Sequence, residues 1–255
     1  MRVGVALSML ILMGVTAAAQ RGQGRQGAGA AVSARDGAPV DLTGYWVTVV
    51  TEDWRYRMVT PARGDHPSVP LNAAGNAVAN GWDPARDEAA GEMCKAYGAA
   101  GVMRAPGRLH ITWQDEATLK IETEAGTQTR LLRFGSAASQ SDAASVQGSS
   151  AAQWEVAGGA RGGRGGAGGR SGNLKVVTTH MRPGYLQKNG VPYGGNAVLT
   201  EYFSRTFESN GDSWLILTSI VDDPQYLTGP FVRSTHYKRL ADANTTWEPE
   251  ACSAR

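Results

Sequence analysis

The chain has 255 residues, with 25 lysines and arginines against 23 aspartates and glutamates, 33 glycines, 11 prolines and two cysteines. Its net charge of +2 does not make a basic face. Setting aside Arg2, Arg21, Arg25, Arg35, Arg161, Arg164 and Arg170, and the acids Asp36, Asp142 and Glu155, leaves 18 basic against 20 acidic residues, which argues against nucleic acid as a partner.

Residues 1–19 read as a secretory signal peptide. Arg2 supplies the positive start, Val3 to Val15 a short apolar run, and Ala17-Ala18-Ala19 a small-residue cleavage site before Gln20. That run is too short for a bilayer span and no later segment approaches one, so the mature chain is expected to be secreted or periplasmic, with a retained anchor as the alternative. Residues 20–40 hold Gly, Ala, Gln and Arg with almost no large apolar side chain, the composition of a disordered tether.

From Asp41 the pattern changes. Tyr45, Val47 and Val49 alternate with Trp46, Thr48 and Val50 as in a strand, and Trp54, Tyr56 and Met58 either continue it or start a second. Leu71 to Asn80 predicts a short helix with Asn72 near its cap and Gly81 at its end, and Ala85 to Glu92 one more helical turn. Arg108–Gln114, Thr118–Glu124 and Thr127–Phe134 are three strands with very short links, hence antiparallel neighbours. Residues 135–172 break the pattern with Ser, Ala, Gln and GGARGGRGGAGGRSG and read as a flexible insertion; RGG-type RNA binding is the competing reading. Four strand-like runs follow, Asn173–Arg182, Asn196–Glu208, Ser213–Asp222 and Gly229–Arg239.

The pattern predicts one mainly β domain over residues 41–252, with a tail at 253–255. Its strands form an antiparallel up-and-down, lipocalin-like barrel or a strongly curled sheet, with one or two short helices. In an oxidising compartment Cys94 and Cys252 are most simply a disulfide. Asn244-Thr245-Thr246 matches a glycosylation triplet that a bacterial chain would carry by chance.

Gly44-Tyr45-Trp46 resembles the Gly-x-Trp start of lipocalins and other calycins, in which the tryptophan closes one end of the barrel. Over nearly all of the mature core, the order DLTGYW, DPARDEAAGEMC, LHITWQDEATLKIETEAGTQTR, NLKVVTTHMRPGYLQKNGVPY, LTEYFSRTF and IVDDPQYLTGPF resembles a group of uncharacterised secreted β-rich proteins of environmental bacteria. Members commonly carry a Glu-x-Phe-x-Arg strand, here Glu201, Phe203 and Arg205, and an Asp-Pro turn, here Asp223, Pro224 and Tyr226 with a displaced Pro230. The resemblance implies a secreted β-rich fold and brings no activity with it.

Strand alternation puts His180 and Arg182 on one face and Glu201 and Arg205 on one face of the next strand, a polar cluster among apolar residues. A ligand-binding reading adds Trp46 and the loop residues Tyr185 and Tyr193, with an arginine facing an anionic or carbonyl group. The competing readings are an ion-pair network in which Glu201 neutralises an arginine, and chemistry at a metal held by His110, His180, His236 and Glu201. No catalytic triad, metal-binding pair or phosphate loop is present as a motif, so no cofactor is implied. The leading expectation is a barrel that binds a small, partly apolar ligand without transforming it. A metal-dependent or general acid/base enzyme on the same barrel and an envelope interaction module with a filled core are the alternatives. Interior packing separates them.

Overall fold

The computed structural model describes residues 32–139, 143–156, 172–241 and 245–255. The expected signal peptide, the tether as far as residue 31, the glycine-arginine run at 157–171 and Asn244 lie outside the described residues. Nine strands close into one barrel: β1 (Gly44–Val49), β2 (Arg108–Asp115), β3 (Thr118–Thr123), β4 (Gln128–Phe134), β5 (Ser149–Val156), β6 (Gly172–Thr179), β9 (Val198–Phe207), β10 (Ser213–Asp222) and β11 (Phe231–Arg239). A separate two-stranded hairpin is formed by β7 (Gly184–Gln187) and β8 (Val191–Tyr193). Among the described residues there are four short helices: α1 (Trp54–Arg57), α2 (Ala73–Asn80), α3 (Pro84–Ala89) and α4 (Ala99–Val102).

Neighbours in the ring follow chain order, with β1 closing on β11 and β2. A ring of nine strands cannot be antiparallel at every joint, because reversing direction nine times does not return to the starting direction. The odd joint is β4–β5, which is parallel, with Leu132 opposite Ser150 and Phe134 opposite Ala152. Parallel neighbours need a crossover connection, and residues 135–148 supply it.

Ser149–Val156 therefore corrects part of the flexible insertion expected at 135–172, since it is a barrel strand paired along its length with β6. Its inward residues, Ser150 and Ala152, are too small to give a hydrophobic strand pattern. Residues 32–40, expected in the tether, also lie on the barrel: Trp154 Nε1 donates to Ala34 O at 2.8 Å, and Arg35 N to Glu116 O at 3.2 Å. Trp54, Tyr56 and Met58 do not extend a strand; Trp54–Arg57 is a helical turn entered through Asp53, whose φ of 48° ends the extended run.

The α2 helix obeys its sequence signals. Asn72 Oδ1 accepts from Gly75 N at 2.9 Å, and Gly81 caps the other end. Gly75 is needed because a Cβ there would lie 2.4 Å from Tyr226 O.

Inward residues Trp46, Ile111, Ile121, Leu132, Leu174 and Phe203 are at most 1 % exposed and pack as one cluster along the barrel. Each such side chain contributes about 1.5–3 kcal/mol on burial. The interior is thus occupied by side chains.

The two long connections, β1 to β2 and β6 to β9, both leave and re-enter the barrel at one end, as the alternating strand directions require. They build a cap there. In it α2 lies against β8, and α4 and the turn at Lys95–Tyr97 lie against β7. Cys94 and Cys252 form a disulfide across 158 residues, fastening the C-terminal segment beside that turn. Among the described residues no helix is long and apolar enough to cross a membrane.

Candidate functional site

The four polar residues grouped by strand alternation are not brought together. β6 ends at Thr179, and His180 has φ 55°, in the left-handed region. That residue breaks the two-residue period, so Met181 turns into the core and is fully buried while His180 and Arg182 are exposed. His180 Nδ1 lies 2.9 Å from Thr179 Oγ1, and Arg182 pairs with Glu92 at 2.9 Å.

Glu201 does point inward and is fully buried, but its partner is Arg130 of β4. Arg130 Nη1 and Nη2 donate to the two carboxylate oxygens at 2.9 and 2.5 Å, and Nη2 lies 3.4 Å from Thr178 Oγ1, which in turn meets Ser150 Oγ at 2.8 Å. Arg205 is at the opposite end, where its Nε donates to Ser213 Oγ at 2.7 Å and its guanidinium covers Phe207 and Trp46. Trp46 is fully buried there between Arg205 and Arg239 and donates from Nε1 to Leu42 O at 3.0 Å.

Tyr185 donates to Asp87 Oδ2 at 2.8 Å, and Lys95 holds the other oxygen of that carboxylate at 2.7 Å. Tyr193 is buried under the cap, its hydroxyl filling the space that Gly98 and Gly184 leave free. Burial pushes its hydroxyl up to about 12.

The histidines named for a metal site are dispersed. His110 stacks on Tyr45 at 4.1 Å outside the barrel, and His236 lies 3.5 Å from Glu52. Neither faces the Glu201 carboxylate, whose oxygens are taken by Arg130. Among the described residues no group of three or more His, Cys, Asp or Glu side chains is placed to hold a metal ion.

A different group converges at the capped end. Tyr56 and Arg57 of α1, Tyr97, Arg104 after α4, Gln187 at the end of β7 and Lys188 after it line a cleft of about 30 Å³. Arg57 and Arg104 side chains are 1 % and 8 % exposed. Arg57 donates from Nε to Arg104 O at 2.9 Å and from Nη1 to Glu52; Arg104 donates from Nη2 to Asp53 Oδ2 at 3.0 Å. Arg57 Nη2, Arg104 Nη1 and both amide atoms of Gln187 are buried and have no hydrogen-bond partner among the described residues. Buried polar groups without a partner cost about 1–3 kcal/mol each, so sites that retain them are filled by water or by a ligand.

Arg104 has its pKa lowered, first by burial and next by the Arg57 charge, with Asp53 opposing. Lys188 stands over the Tyr97 ring at 5.5 Å and adds positive charge at the rim. Sequence reading missed this cleft because Arg57 and Arg104 are 47 residues apart and neither lies in an alternating strand. The one local signal is the run Trp54-Arg55-Tyr56-Arg57, which carries aromatic and basic residues where a strand was expected to continue.

No family model, no curated protein and no solved structure matches the chain.

Proposed function

We propose that the protein is a secreted or periplasmic β-barrel that binds a small, partly apolar ligand at the capped end of the barrel and does not transform it. The observation that carries this reading is that Arg57, Arg104 and Gln187, which together hold four buried polar atoms without a partner among the described residues, line one cleft with Tyr56, Tyr97 and Leu186. A few fixed polar groups set in an apolar and aromatic wall are the ordinary make-up of a small-molecule site. The barrel interior is filled by its own side chains, so the ligand belongs under the cap and not along the axis. The leader-like residues 1–19 and the Cys94–Cys252 disulfide both favour an oxidising compartment.

Native mass spectrometry on protein isolated from its own host tests the reading. The expected spectrum carries an added small-molecule mass that disappears on denaturation and is absent from Gln187→Leu protein prepared in the same way. An unladen spectrum for the wild-type protein under gentle conditions counts against it. The interaction-module alternative draws on Trp54, Met58 and Val59, which are 56–66 % exposed beside the cleft. An added protein mass in the same spectrum would favour that alternative.

A further inference from the structure

Charge at the cleft is unbalanced. Among the described residues, three arginines, Arg57, Arg104 and Arg233, meet two carboxylates, Glu52 and Asp53. Glu52 is taken by Arg57, while a single oxygen of Asp53 serves both Arg104 Nη2 and Arg233 Nε, each at 3.0 Å. Arg55 and Asp65 pair with each other, and Tyr56 donates to the same Asp65 at 3.3 Å, so they do not alter the count. His236 faces Glu52 and adds further positive charge when protonated; Lys188 adds one more at the rim. The group therefore carries an excess positive charge, and its two most buried members, Arg57 and Arg104, are the least screened by water.

Geometry narrows what can answer that charge. One N–H-bearing nitrogen of Arg57 and one of Arg104 are unused, and so is the Gln187 amide. The two guanidinium donors are fixed. Arg57 is held by Arg104 O and Glu52, and Arg104 by Asp53, whose own backbone sits in the left-handed conformation with φ 48°. Planar guanidinium groups held in place match the two oxygens of a carboxylate. The open space, about 30 Å³, takes one compact group and no more, since one water needs about 10–15 Å³ on the same measure.

Resting on the reading of this cleft as a ligand site, we propose that it recognises the carboxylate head of a small organic acid. The head sits between Arg57 and Arg104 with Gln187 donating beside it, and the body of the acid lies outward over Tyr56 and Tyr97 under Lys188. A single negative charge offsets the excess of the three arginines over the two carboxylates. The Gln187 carbonyl oxygen stays free to accept from a hydroxyl next to the carboxylate.

Isothermal titration of the mature chain with acetate, benzoate and hexanoate, each set against its neutral primary amide, and with sulfate, tests the assignment. At least one carboxylate should bind tenfold or more tightly than its amide and more tightly than sulfate. Arg104→Gln should remove that preference. Because Arg104 also holds Asp53, that variant could lose its fold, so Gln187→Leu is the second variant; it should weaken the carboxylate severalfold with an unchanged melting temperature. Amides binding as well as acids would overturn the carboxylate assignment and leave a ligand cleft standing. Preference for sulfate would overturn it in favour of a general anion site. No binding by any probe, in protein that mass spectrometry shows to carry a neutral host molecule, would also overturn it.

Discussion

Glu201 and Arg130 meet in the barrel wall with 1 % and 0 % of their side chains exposed, so each charge depends on the other. Removing one partner of such a pair leaves an uncompensated buried charge and costs about 3–5 kcal/mol, whereas replacing both by apolar residues is often neutral. Glu201→Ala is therefore expected to destabilise the protein by about 3–5 kcal/mol in urea denaturation, and the double variant Glu201→Leu, Arg130→Met to recover most of the loss. A double variant as unstable as the single one would show that the pair contributes more than mutual neutralisation. The inward position of Glu201 was legible, because the alternation holds from Leu199 through Glu201 to Phe203 in β9. Its partner was not, since nothing local in sequence links β4 to β9; a closed ring and the bridging Thr178 bring Arg130 across. His180 was misplaced for a local reason, a single left-handed residue that shifts every following side chain to the other face.

At the scale of elements, apolar alternation marked β2, β3, β4, β9, β10 and β11, and capping chemistry marked α2, because these signals are written in neighbouring residues. β5 was hidden, as its buried positions are Ser150 and Ala152, beside the Arg130–Thr178 contact, and Trp154 is the large apolar side chain it adds on that face. The C-terminal segment has little secondary structure and is held by point contacts. Glu250 N donates to Glu124 O at 2.8 Å, Glu248 N to Glu124 Oε1 at 2.7 Å, and the disulfide ties Cys252 to Cys94. Closing a loop of 158 residues contributes about 5 kcal/mol in the chain-entropy model. Changing both cysteines to serine should lower stability by several kcal/mol in calorimetry or urea titration. Because Cys94 immediately precedes the turn at Lys95–Tyr97, it should also speed hydrogen exchange at Ala96 and Tyr97 beside the cleft. Exchange unchanged in that turn would mean that the cap holds itself.

For the whole molecule, the barrel was foreseeable from strand count and short links, while its odd number of strands, the parallel joint and the shared end of both long connections follow only from closure. Closure also determines the response to alkali. Tyr193 and Tyr237 are buried, and burial raises both hydroxyls above the ordinary tyrosine value, Tyr193 to about 12. Above pH 10 the unfolded chain has released these protons and the folded chain still holds them. Their contribution is therefore complete below pH 10 and is lost as pH rises toward 12, by about 1.4 kcal/mol per unit for each tyrosine. Urea midpoints should fall across pH 10–12 while these two tyrosines are still protonated in the folded protein, and Tyr193→Phe should flatten the fall.

The cleft under the cap is the centre of the account, and a crystal structure at high resolution of protein purified gently from its own host tests it most directly. Density for an organic molecule in contact with Arg57 Nη2, Arg104 Nη1 and the Gln187 amide is the expected result. Ordered water alone at those atoms, or the four atoms satisfied by one another, would contradict it.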